Sequence, residues 1–323
     1  MTAEPGTRVL KSDSQSIEAA AACLKAGGLV AFPTETVYGL GADARHGEAV
    51  ARLYAAKGRP SFNPLIAHVA DAEAARRLAR FDAAAEKLAA AFWPGPLTLV
   101  LPKRPDCGVA DLALAGLDSV AVRVPAHPVA HALLAAFNGP VVAPSANRSG
   151  HLSPTSAAHV LADLRGRIDM VIDAGPCAVG VESTIVACLG EPTLLRPGGL
   201  PREQIERVLG HSLAMASLAD DAPLAPGMLS SHYAPKARLR LDADAAGPDE
   251  ALLAFGPAAA ATLNLSPRGD LIEAAANLFS HLRALDASGA QRIAVMKVPH
   301  EGLGEAINDR LARAAAPKAG ISK

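Results

Sequence analysis

The sequence predicts two α/β units, a larger one over residues 1–210 and a smaller one over 237–323, joined by a linker at 211–236. Three observations lead to this prediction. Short apolar strands alternate with amphipathic helices along the chain, which is the pattern of sheets covered by helices. Several strands of the larger unit follow one another with no helix between them, so its sheet should be mixed rather than all parallel. Prolines and glycines gather between the two units, as is typical of a linker.

The composition is that of a globular protein with room for two hydrophobic cores. The chain has 323 residues, of which 50% are hydrophobic and 20% are charged. Only 3% are aromatic, so alanine, leucine and valine must fill the cores. The formal net charge of −1 counts against a protein whose whole surface binds nucleic acid, although it allows a local basic pocket.

The larger unit begins with an amphipathic, alanine-rich helix at 14–26, which stops at two glycines. A short buried strand at 29–33 follows and leads into a loop at 34–41. The remaining elements are predicted, in order, as helix 48–57, strand 65–69, helices 71–80 and 82–92, strands 97–101 and 119–124, helix 127–137, strand 141–143, strands near 169–173, 183–187 and 193–196, and helix 201–209.

The composition of the sequence changes at 219–236, where prolines and a glycine indicate a stiff linker. The smaller unit then reads as a Rossmann-like α/β domain, with 263–269 as a polar loop. Its elements are predicted as strands 239–241 and 252–255, helix 271–285, strand 293–298 and helix 303–314.

The four cysteines form no C-x-x-C pair and lack the spacing of a metal site. We therefore expect Cys23, Cys107, Cys177 and Cys188 to be buried, reduced thiols of a cytoplasmic protein. No segment approaches the ~18 consecutive apolar residues that a membrane span needs, and the N-terminus does not have the pattern of a signal peptide. These observations predict a soluble protein of the cytoplasm.

Small hydroxyls, cations and glycines follow apolar runs at three places, 32–41 (FPTETVYGLG), 57–60 (KGRP) and 144–147 (PSAN). The ends of apolar strands are where α/β proteins build ligand sites. None of the three has the form of a P-loop or of a dinucleotide-binding G-x-G-x-x-G. Together they predict one polar pocket that binds an anion by another route.

The cations differ in how strongly they indicate a site. Lys57 and Arg59 lie two residues apart in a rigid turn, which suits a phosphate or carboxylate clamp. Taken alone, the pair could equally be a solvated helix end, where cations meet the negative end of the helix dipole. Arg123 and Arg196 each end an apolar strand, where a charge needs a bound carboxylate or an internal acid.

Other polar residues have ordinary structural explanations when each is taken alone. Ser145 and Asn147 are favoured in turns, and the segment 182–184 could simply begin a strand. A lone His68 is more often a core or surface histidine than a ligand. No G-x-S-x-G elbow, H-E-x-x-H motif or Cys/His cluster indicates a hydrolase triad or a zinc site.

Taken together, however, the motifs resemble those of the YrdC family in its long, two-domain form. They occur in the family's order across about residues 1–210, and the segment 226–235 resembles the signature that precedes the family's extra C-terminal domain. This resemblance implies a twisted, mixed, open sheet flanked by helices. The motifs are 32–40, 57–60 with 63–65, 93–98, 123–125, 143–147 and 195–198.

The resemblance also implies an activity, a nucleotidyl transfer that makes threonylcarbamoyl-adenylate and pyrophosphate from L-threonine, bicarbonate or CO2, and ATP. This is the first step of the threonylcarbamoyladenosine modification of tRNA. Magnesium would enter with ATP and be held mainly by the phosphates and water. A tRNA-modifying transferase complex would take the product, and the basic cleft would also allow weak RNA binding.

By matched position, the resemblance assigns residues to each substrate. Threonine is assigned to Thr36, His68, Arg123, Ala143 and Ser183. ATP is assigned to Lys57, Arg59, Asn63, Ser119, Ser145, Asn147, Ser153, Arg196 and Tyr233, with Lys57, Arg59, Ser145 and Asn147 as the catalytic set.

Two other functions stay open at this point. A nucleic-acid-binding module would use the same basic cleft, but the near-neutral charge and the lack of interleaved basic and aromatic residues count against it. The carbamoyl-transfer domain of a hydrogenase-maturation protein would need partner modules and zinc-binding cysteines that this chain lacks. We further expect the linker, with Tyr233, to close over the cleft as a lid, and the smaller unit to act as a lid or docking element.

Overall fold

The computed structural model describes residues 6–215 and 235–316, and the structural statements below concern these residues. Up to residue 215 the chain forms β1 (Arg8–Lys11), α1 (Ser14–Lys25), β2 (Val30–Phe32), β3 (Gly39–Asp43), α2 (Gly47–Lys57), β4 (Ile66–His68), α3 (Ala72–Leu78), α4 (Ala83–Phe92), β5 (Leu97–Pro102), α5 (Asp111–Leu114), β6 (Ser119–Arg123), α6 (Pro128–Phe137), β7 (Val141–Val142), α7 (Ala157–Leu164), β8 (Met170–Asp173), β9 (Thr184–Ala187), β10 (Thr193–Arg196), α8 (Arg202–Leu209) and β11 (Ala214–Met215). From residue 235 it forms β12 (Arg238–Arg240), β13 (Ala251–Ala254), β14 (Leu263–Asn264), α9 (Leu271–Ala287), β15 (Arg292–Val295) and α10 (Leu303–Ala315).

The strands up to residue 215 form one mixed sheet in the order β1-β8-β2-β3-β7-β4-β6-β5-β9-β10-β11. The pairs β2–β3, β3–β7, β4–β7, β5–β6 and β9–β10 are antiparallel, and the other neighbouring pairs are parallel. Parallel neighbours need crossover connections, and the helices between the strands supply them. The predicted mixed sheet flanked by helices is confirmed.

Helix ends follow from local sequence signals. Asp13, Asp71 and Asp82 cap α1, α3 and α4, and each side chain accepts a hydrogen bond from a backbone N–H of the first turn. Such a cap contributes about 1 kcal/mol to helix stability. Gly58 ends α2 in the left-handed conformation, with φ at 60°, where the lack of Cβ removes the steric penalty. The turn at Gly58 sets Lys57 and Arg59 on either side of it.

The predicted loop at 34–41 is wrong in its second half, because β3 begins at Gly39. This strand pairs antiparallel with β2, with Phe32 opposite Gly39. Its two glycines read as loop residues in the sequence, yet they allow a close approach: a Cβ on Gly41 would lie 3.0 Å from the Phe32 ring. The predicted loop at 263–269 likewise begins with a strand, β14. The short elements β1, α5, α7 and β11 were not predicted.

The two faces of the first sheet have different coverings. Side chains alternate along a strand, so Leu99 of β5 and Val122 of β6 join the main core with the helices, while their neighbours point the other way. On the opposite face lies a small apolar group from five adjoining strands, which we call the floor cluster. It consists of Ile66, Val100, Ala121, Ile185, Ala187 and Leu195.

The second sheet is all parallel, in the order β12-β15-β13-β14, and packs with α9 and α10. This confirms a second α/β domain with a parallel sheet. The domain limits at 210 and 237 stay predictions; β11, the edge strand of the first sheet, lies beyond residue 210. Tyr233 and most of the predicted linker, residues 216–234, lie outside the described residues.

The four cysteines are free thiols, but only Cys177 and Cys188 are buried. Cys23 and Cys107 are half-buried at the edges of hydrophobic clusters, so the prediction of four buried thiols is wrong for these two. Within the described ranges, the chain contains no helix with the length and apolar character needed to cross a lipid bilayer.

Candidate functional site

The candidate site lies on the face of the first sheet that carries the floor cluster. His68 of β4 and Arg123 of β6 are partners in the parallel register between these strands. Because side chains alternate, both lie on the same face as Ile66 and Ala121, which are paired two residues earlier. Ser119, at the other end of β6, lies on this face as well and is buried. The apolar floor cluster therefore lies between His68 and Arg123 at one end of these strands and the hydroxyl of Ser119 at the other.

Arg123 is 4% exposed and has an internal acid as its partner. Its Nη2 lies 2.7 Å from Oε1 of Glu35, and its Nε donates to the carbonyl of Gly95 at 3.3 Å. The other carboxylate oxygen of Glu35 accepts from the backbone N–H of Ala126 at 3.1 Å. Within the described residues, Nη1 of Arg123 has no acceptor, so one edge of the guanidinium is left for a ligand carboxylate.

His68 is a neutral imidazole with one nitrogen available. Its Nδ1 lies 3.1 Å from the carbonyl of Ile66, an acceptor, so this nitrogen carries the proton. Burial, together with the charge of Arg123, lowers the pKa of His68 to about 3. The Nε2 lone pair is then an acceptor for an ammonium or hydroxyl group held beside Arg123.

The loop after β2 offers a buried hydroxyl to the same end of the site. Thr34 donates from Oγ1 to the carbonyl of Val37 at 2.7 Å, and the hydroxyls of Thr34 and Thr36 lie 2.7 Å apart. Since the proton of Thr34 is used, Thr36 donates to Thr34 and keeps its own lone pairs for a ligand.

The backbone N–H of Ala143 already bonds to the carbonyl of Ile66 at 3.1 Å, so any ligand contact at Ala143 would use its own carbonyl.

Lys57 holds the loop that follows β7. Its Nζ donates to the carbonyl of Ser145 at 2.5 Å and to the carbonyl of Asn147, and the residue is 3% exposed. Among the described residues, no carboxylate lies within salt-bridge distance of this ammonium. Burial, followed by the nearby charge of Arg59, lowers the pKa of Lys57 well below its usual range. The position fits a residue that shapes the Ser145–Asn147 turn; its predicted contact with phosphate stays a prediction.

Two buried carboxamide oxygens have no hydrogen-bond donor in the described part of the chain, Oδ1 of Asn63 and Oδ1 of Asn147. The orientation of Asn147 is fixed because its Nδ2 donates to the carbonyls of Arg148 and His151, both at 2.8 Å. Leaving a buried acceptor unpaired costs about 1–3 kcal/mol. At a candidate site, such oxygens indicate that a ligand supplies amine or hydroxyl donors.

A further row of polar groups crosses β5, β9 and β10. Arg196 is buried, and its Nη2 donates to the backbone carbonyl of Ser183 at 2.8 Å and to the hydroxyl of Ser183 at 3.2 Å. The hydroxyls of Ser183 and Thr98 lie 2.7 Å apart.

Arg59, half-buried, reaches the carbonyls of Asn63 and Pro64 at 3.5 and 3.3 Å.

Ser153 is fully buried and donates to Oε1 of Glu182 at 2.5 Å. Burial alone would raise the pKa of Glu182, but the charges of Arg310 and Arg196 and the Ser153 hydroxyl lower it to about 2. Glu182 is therefore a permanent anion beside the site. Its second oxygen is bound by Arg310, which belongs to the second domain.

The structure sets His68 and Arg123 of the predicted threonine set side by side, with Ala143 bonded to the strand that carries His68. In the predicted ATP set, Lys57 contacts the Ser145–Asn147 turn and Arg196 contacts Ser183, and the roles of these residues stay predictions. Three participants were not predicted. Glu35 is the only acid between residues 32 and 41, and that isolated charge in an apolar motif was a signal. Thr98 ends the motif 93–98, whose resemblance to the family was a signal, although no role was assigned to this residue. Arg310 is the third, and its signal was a charge within the otherwise apolar stripe of α10.

The net electrostatics favour an anionic ligand. Arg123 and Arg196 end the strands β6 and β10, and Lys57 and Arg59 flank the turn that ends α2, while Glu35 and Glu182 are each bound to an arginine. The described residues contain no cluster of three or more His, Cys, Asp or Glu side chains that could hold a metal.

Comparison with known families gives matches over both domains. The Sua5/YciO/YrdC family model, whose description reads "Telomere recombination", matches residues 22–198. A second model, described as the C-terminal domain of threonylcarbamoyl-AMP synthase, matches residues 200–316.

Individual relatives are similar over almost the whole chain. The threonylcarbamoyl-AMP synthase of Bacillus subtilis is 41% identical, with 96% of this chain and 95% of that protein covered. The threonylcarbamoyl-AMP synthase of Pyrococcus abyssi is 44% identical over 92% of this chain and 93% of its own length. The crystal structure of P. abyssi Sua5 complexed with L-threonine superimposes with a TM-score of 0.88 at 40% identity, covering 96% of this chain and 97% of that one.

Proposed function

The chain belongs to the Sua5/YciO/YrdC family, and we propose that it makes threonylcarbamoyl-AMP and pyrophosphate from L-threonine, bicarbonate or CO2, and ATP. This reaction is the first step of the threonylcarbamoyladenosine modification of tRNA. One observation carries the proposal: the similarity to threonylcarbamoyl-AMP synthases extends over 96% and 92% of the chain for the two relatives, and so includes both domains.

The chemistry consists of two bond-forming steps. The threonine nitrogen forms a C–N bond to the carbon of CO2 and loses a proton, which gives a carbamate. A carbamate oxygen then attacks the α-phosphorus of ATP, and the bond from that phosphorus to the β-phosphate bridge breaks with its electrons, releasing pyrophosphate. Both steps require aligned reactants and neutralised charge more than a strong protein base.

In this proposal, threonine lies at the charged end of the site. Arg123 receives the threonine carboxylate on Nη1, while Glu35 and Gly95 hold the other nitrogens in place. Nε2 of His68 accepts a hydrogen bond from the threonine ammonium or hydroxyl, and Thr36 and Ser183 offer hydroxyls from neighbouring elements. The neutral state of His68 matters, because a second cation beside Arg123 would repel the amine that has to react.

ATP lies along the rest of the face. Arg59 and Arg196 face the phosphates as planar cations, and Lys57 keeps the Ser145–Asn147 turn in shape beneath them. The unpaired oxygens of Asn63 and Asn147 suit the adenine amine or the ribose hydroxyls, which are the hydrogen-bond donors of the nucleotide. Ser119, Ser145, Ser153 and Tyr233 complete the predicted ATP set.

Magnesium fits this site as part of the nucleotide. The carboxylates nearest to it, Glu35 and Glu182, are bound to Arg123 and Arg310, so they are poorly placed as metal ligands. Phosphate oxygens and water would hold the ion, which supplies charge neutralisation on the triphosphate. The protein's share of that neutralisation comes from its arginines.

The product is a mixed anhydride, which water destroys, so we propose that a tRNA-modifying transferase complex in the cytoplasm takes it up. A near-neutral net charge and a cation cluster confined to one cleft support at most weak RNA binding.

Product analysis tests the proposal. The enzyme is incubated with L-threonine, 14C-bicarbonate and ATP labelled at the α-phosphorus, then quenched and separated by chromatography. We expect one compound that carries both labels and has the mass of AMP joined to threonine through a carbonyl. A reaction with D-threonine is the control. Conversion of ATP without incorporation of 14C into an AMP-containing compound would overturn the proposal.

A further inference from the structure

Arg310 is a charged residue at a position where the sequence calls for an apolar one. The buried positions of α10 include Ala306, Ile307, Leu311 and Ala314, which recur with helical spacing, and Arg310 lies in the same stripe. It is 0% exposed, the largest side chain in the described residues that is fully buried. A guanidinium in this place must be fully compensated, because a buried charge without partners is very costly.

Two partners of Arg310 belong to the first domain, and a third, Asp309, is its neighbour in α10 and forms an ion pair with Nη1. Its Nε donates to Oε2 of Glu182 at 2.8 Å, and its Nη2 donates to the backbone carbonyl of Pro197 at 3.0 Å. Glu182 accepts on its other oxygen from Ser153, and Pro197 directly follows Arg196. One arginine of the second domain is thus linked by hydrogen bonds to two residues assigned to ATP, to Ser153 through Glu182 and to Arg196 through the adjoining Pro197.

Apolar contacts also join the second domain to segments of the first domain that carry site residues. The hydrophobic core of the second domain includes three residues of the first domain, Val37, Leu152 and Val181. Val37 follows Thr36, Leu152 precedes Ser153, and Val181 precedes the Glu182-Ser183 segment. Each is therefore next to a segment of the candidate site.

Helix α9 adds two close contacts. Arg283 donates to the carbonyl of Leu152, and it also forms an ion pair with Asp163 at 3.1 Å. The backbone of α9 lies directly on Gly180, where a Cβ would come within 2.3 Å of the carbonyl oxygen of Ala275. The segments that carry Ser153 and Ser183 are consequently held on their outer side by the second domain.

We propose that the second domain completes the nucleotide site, and that Arg310 is a positioning residue for ATP, acting through Glu182 and Pro197 on Ser153 and Arg196. This inference rests on the proposed function for the identity of the nucleotide. Buried ion pairs often add little to stability and can be replaced by apolar pairs, so stability alone gives little reason for Arg310. The need to orient the segments that carry Ser153 and Arg196 explains a buried arginine at this position.

The variants isolate this role. Arg310→Met removes the cation at similar volume, and Arg310→Lys keeps a charge but loses the fork that reaches both Glu182 and Pro197. The control is Arg202→Met, because Arg202 of α8 pairs across the same domain boundary with Glu305 of α10 and, within residues 6–215 and 235–316, contacts no site residue.

Two readouts separate positioning from folding. The first is the affinity for a non-hydrolysable ATP analogue, α,β-methylene-ATP, measured by calorimetry. The second is the KM for ATP against the KM for threonine in pyrophosphate release. Loss of charge-assisted bonds should weaken analogue binding and raise the ATP KM about tenfold in Arg310→Met, with a threonine KM within about threefold of wild type. Arg310→Lys should fold like wild type and show an intermediate defect, and Arg202→Met should bind the analogue like wild type.

The outcomes are distinguishable. If Arg310→Lys and any folded Arg310→Met bind the analogue like wild type, the positioning role is overturned, even where the melting temperature falls. If Arg202→Met weakens analogue binding equally, the effect is one of domain contact in general and the assignment to Arg310 is overturned. A wild-type chain that binds the analogue but releases no pyrophosphate with threonine would overturn the proposed function, while the analogue measurements would still decide the role of Arg310.

Discussion

Burial acts differently on each charged residue of the site, and the partner decides the result. Glu182 stays an anion because two arginines outweigh its desolvation, with a pKa of about 2. His68 stays neutral because burial lowers its pKa and the charge of Arg123, which has the same sign as protonated His68, lowers it further. Lys57 has only carbonyl acceptors among its described hydrogen-bond partners, and burial lowers its pKa. The site thus combines a fixed anion, a neutral imidazole and a cation held by dipoles.

The first residue-scale prediction concerns Arg123. Arg123→Lys keeps the charge but loses the planar fork that contacts Glu35 and Gly95 and, in the proposed site, the threonine carboxylate. We expect the threonine KM to rise about tenfold or more, and the ATP KM to change by less than about threefold. Steady-state kinetics with each substrate varied in turn measure both values. A defect confined to the ATP side would mean that Arg123 serves the other substrate.

Lys57 gives the second prediction. Lys57→Met leaves two buried carbonyls, those of Ser145 and Asn147, without their donor, at a cost of roughly 1–3 kcal/mol each. We expect a lower urea midpoint together with loss of activity. Lys87→Met on the exposed face of α4 is the matched control and should change neither. Activity lost at unchanged stability would instead favour direct contact of the ammonium with phosphate.

His68 gives a pH-dependent prediction. Its pKa is about 3 in the folded protein and about 6.5 when unfolded, so the unfolded chain binds more protons between these values. Stability from this group is therefore lost as pH falls from 6.5 toward 3, by about 2 kcal/mol at pH 5. Urea unfolding at pH 7.5 and pH 5 should show this loss in wild type and in His211→Gln, an exposed control, and a smaller loss in His68→Gln. Equal losses in all three proteins would contradict a neutral, buried His68.

At the scale of single residues, the sequence predicted what kind of partner was needed but not which residue supplies it. Arg123 at the end of an apolar strand required an acid or a ligand carboxylate. Its acid, Glu35, is 88 residues away in sequence, and only the sheet brings the two together. For the same reason, the sequence did not predict the contact of Lys57 with a loop some 90 residues further along the chain.

At the scale of elements, the loops that carry the site depend on tight backbone contacts. Gly198 lies against the 182–184 backbone, where a Cβ would come within 2.4 Å of the Glu182 carbonyl oxygen and of the Thr184 nitrogen. No rotation of a side chain can relieve such a clash, since every atom involved belongs to the main chain.

This contact leads to the element-scale prediction. Gly198→Ala must move the segment that carries Glu182 and Ser183, so we expect activity to fall about tenfold or more, in line with the cost of ångström-scale misplacement. Gly47→Ala, at the first turn of α2, has no atom within 4 Å of the added Cβ and is the control. Kinetics and circular dichroism of both variants check the expectation; wild-type rates in Gly198→Ala would show that the segment tolerates the shift.

Elements with strong local signals were predicted well. The aspartate caps and apolar periodicity of α1, α3 and α4 are properties of a dozen neighbouring residues, and so are the caps and period of α9. By contrast, β3, β11 and β14 are short strands that are set by pairing with other strands, and their own sequences favour loops. The parts of the site that lie on strand ends were therefore predictable, while the glycine-dependent approaches between loops were not.

At the scale of the whole molecule, charge is concentrated rather than abundant. A formal net charge of −1 coexists with four cations, Lys57, Arg59, Arg123 and Arg196, that are buried or half-buried, so the proposed triphosphate site does not need a generally basic surface. The second domain was predictable from its alternating strands and helices. Its three shared core residues and Arg310 were not, because they depend on how the two domains pack.

The most direct test of the account is whether pyrophosphate release from ATP requires threonine and bicarbonate together. The assay uses the full chain with magnesium and ATP in CO2-depleted buffer, and adds L-threonine, bicarbonate, or both. The account predicts release with both and only background release with either one alone, since the carbamate that attacks ATP contains atoms of each. Release that proceeds at the full rate without threonine, or in CO2-depleted buffer with threonine alone, would contradict it.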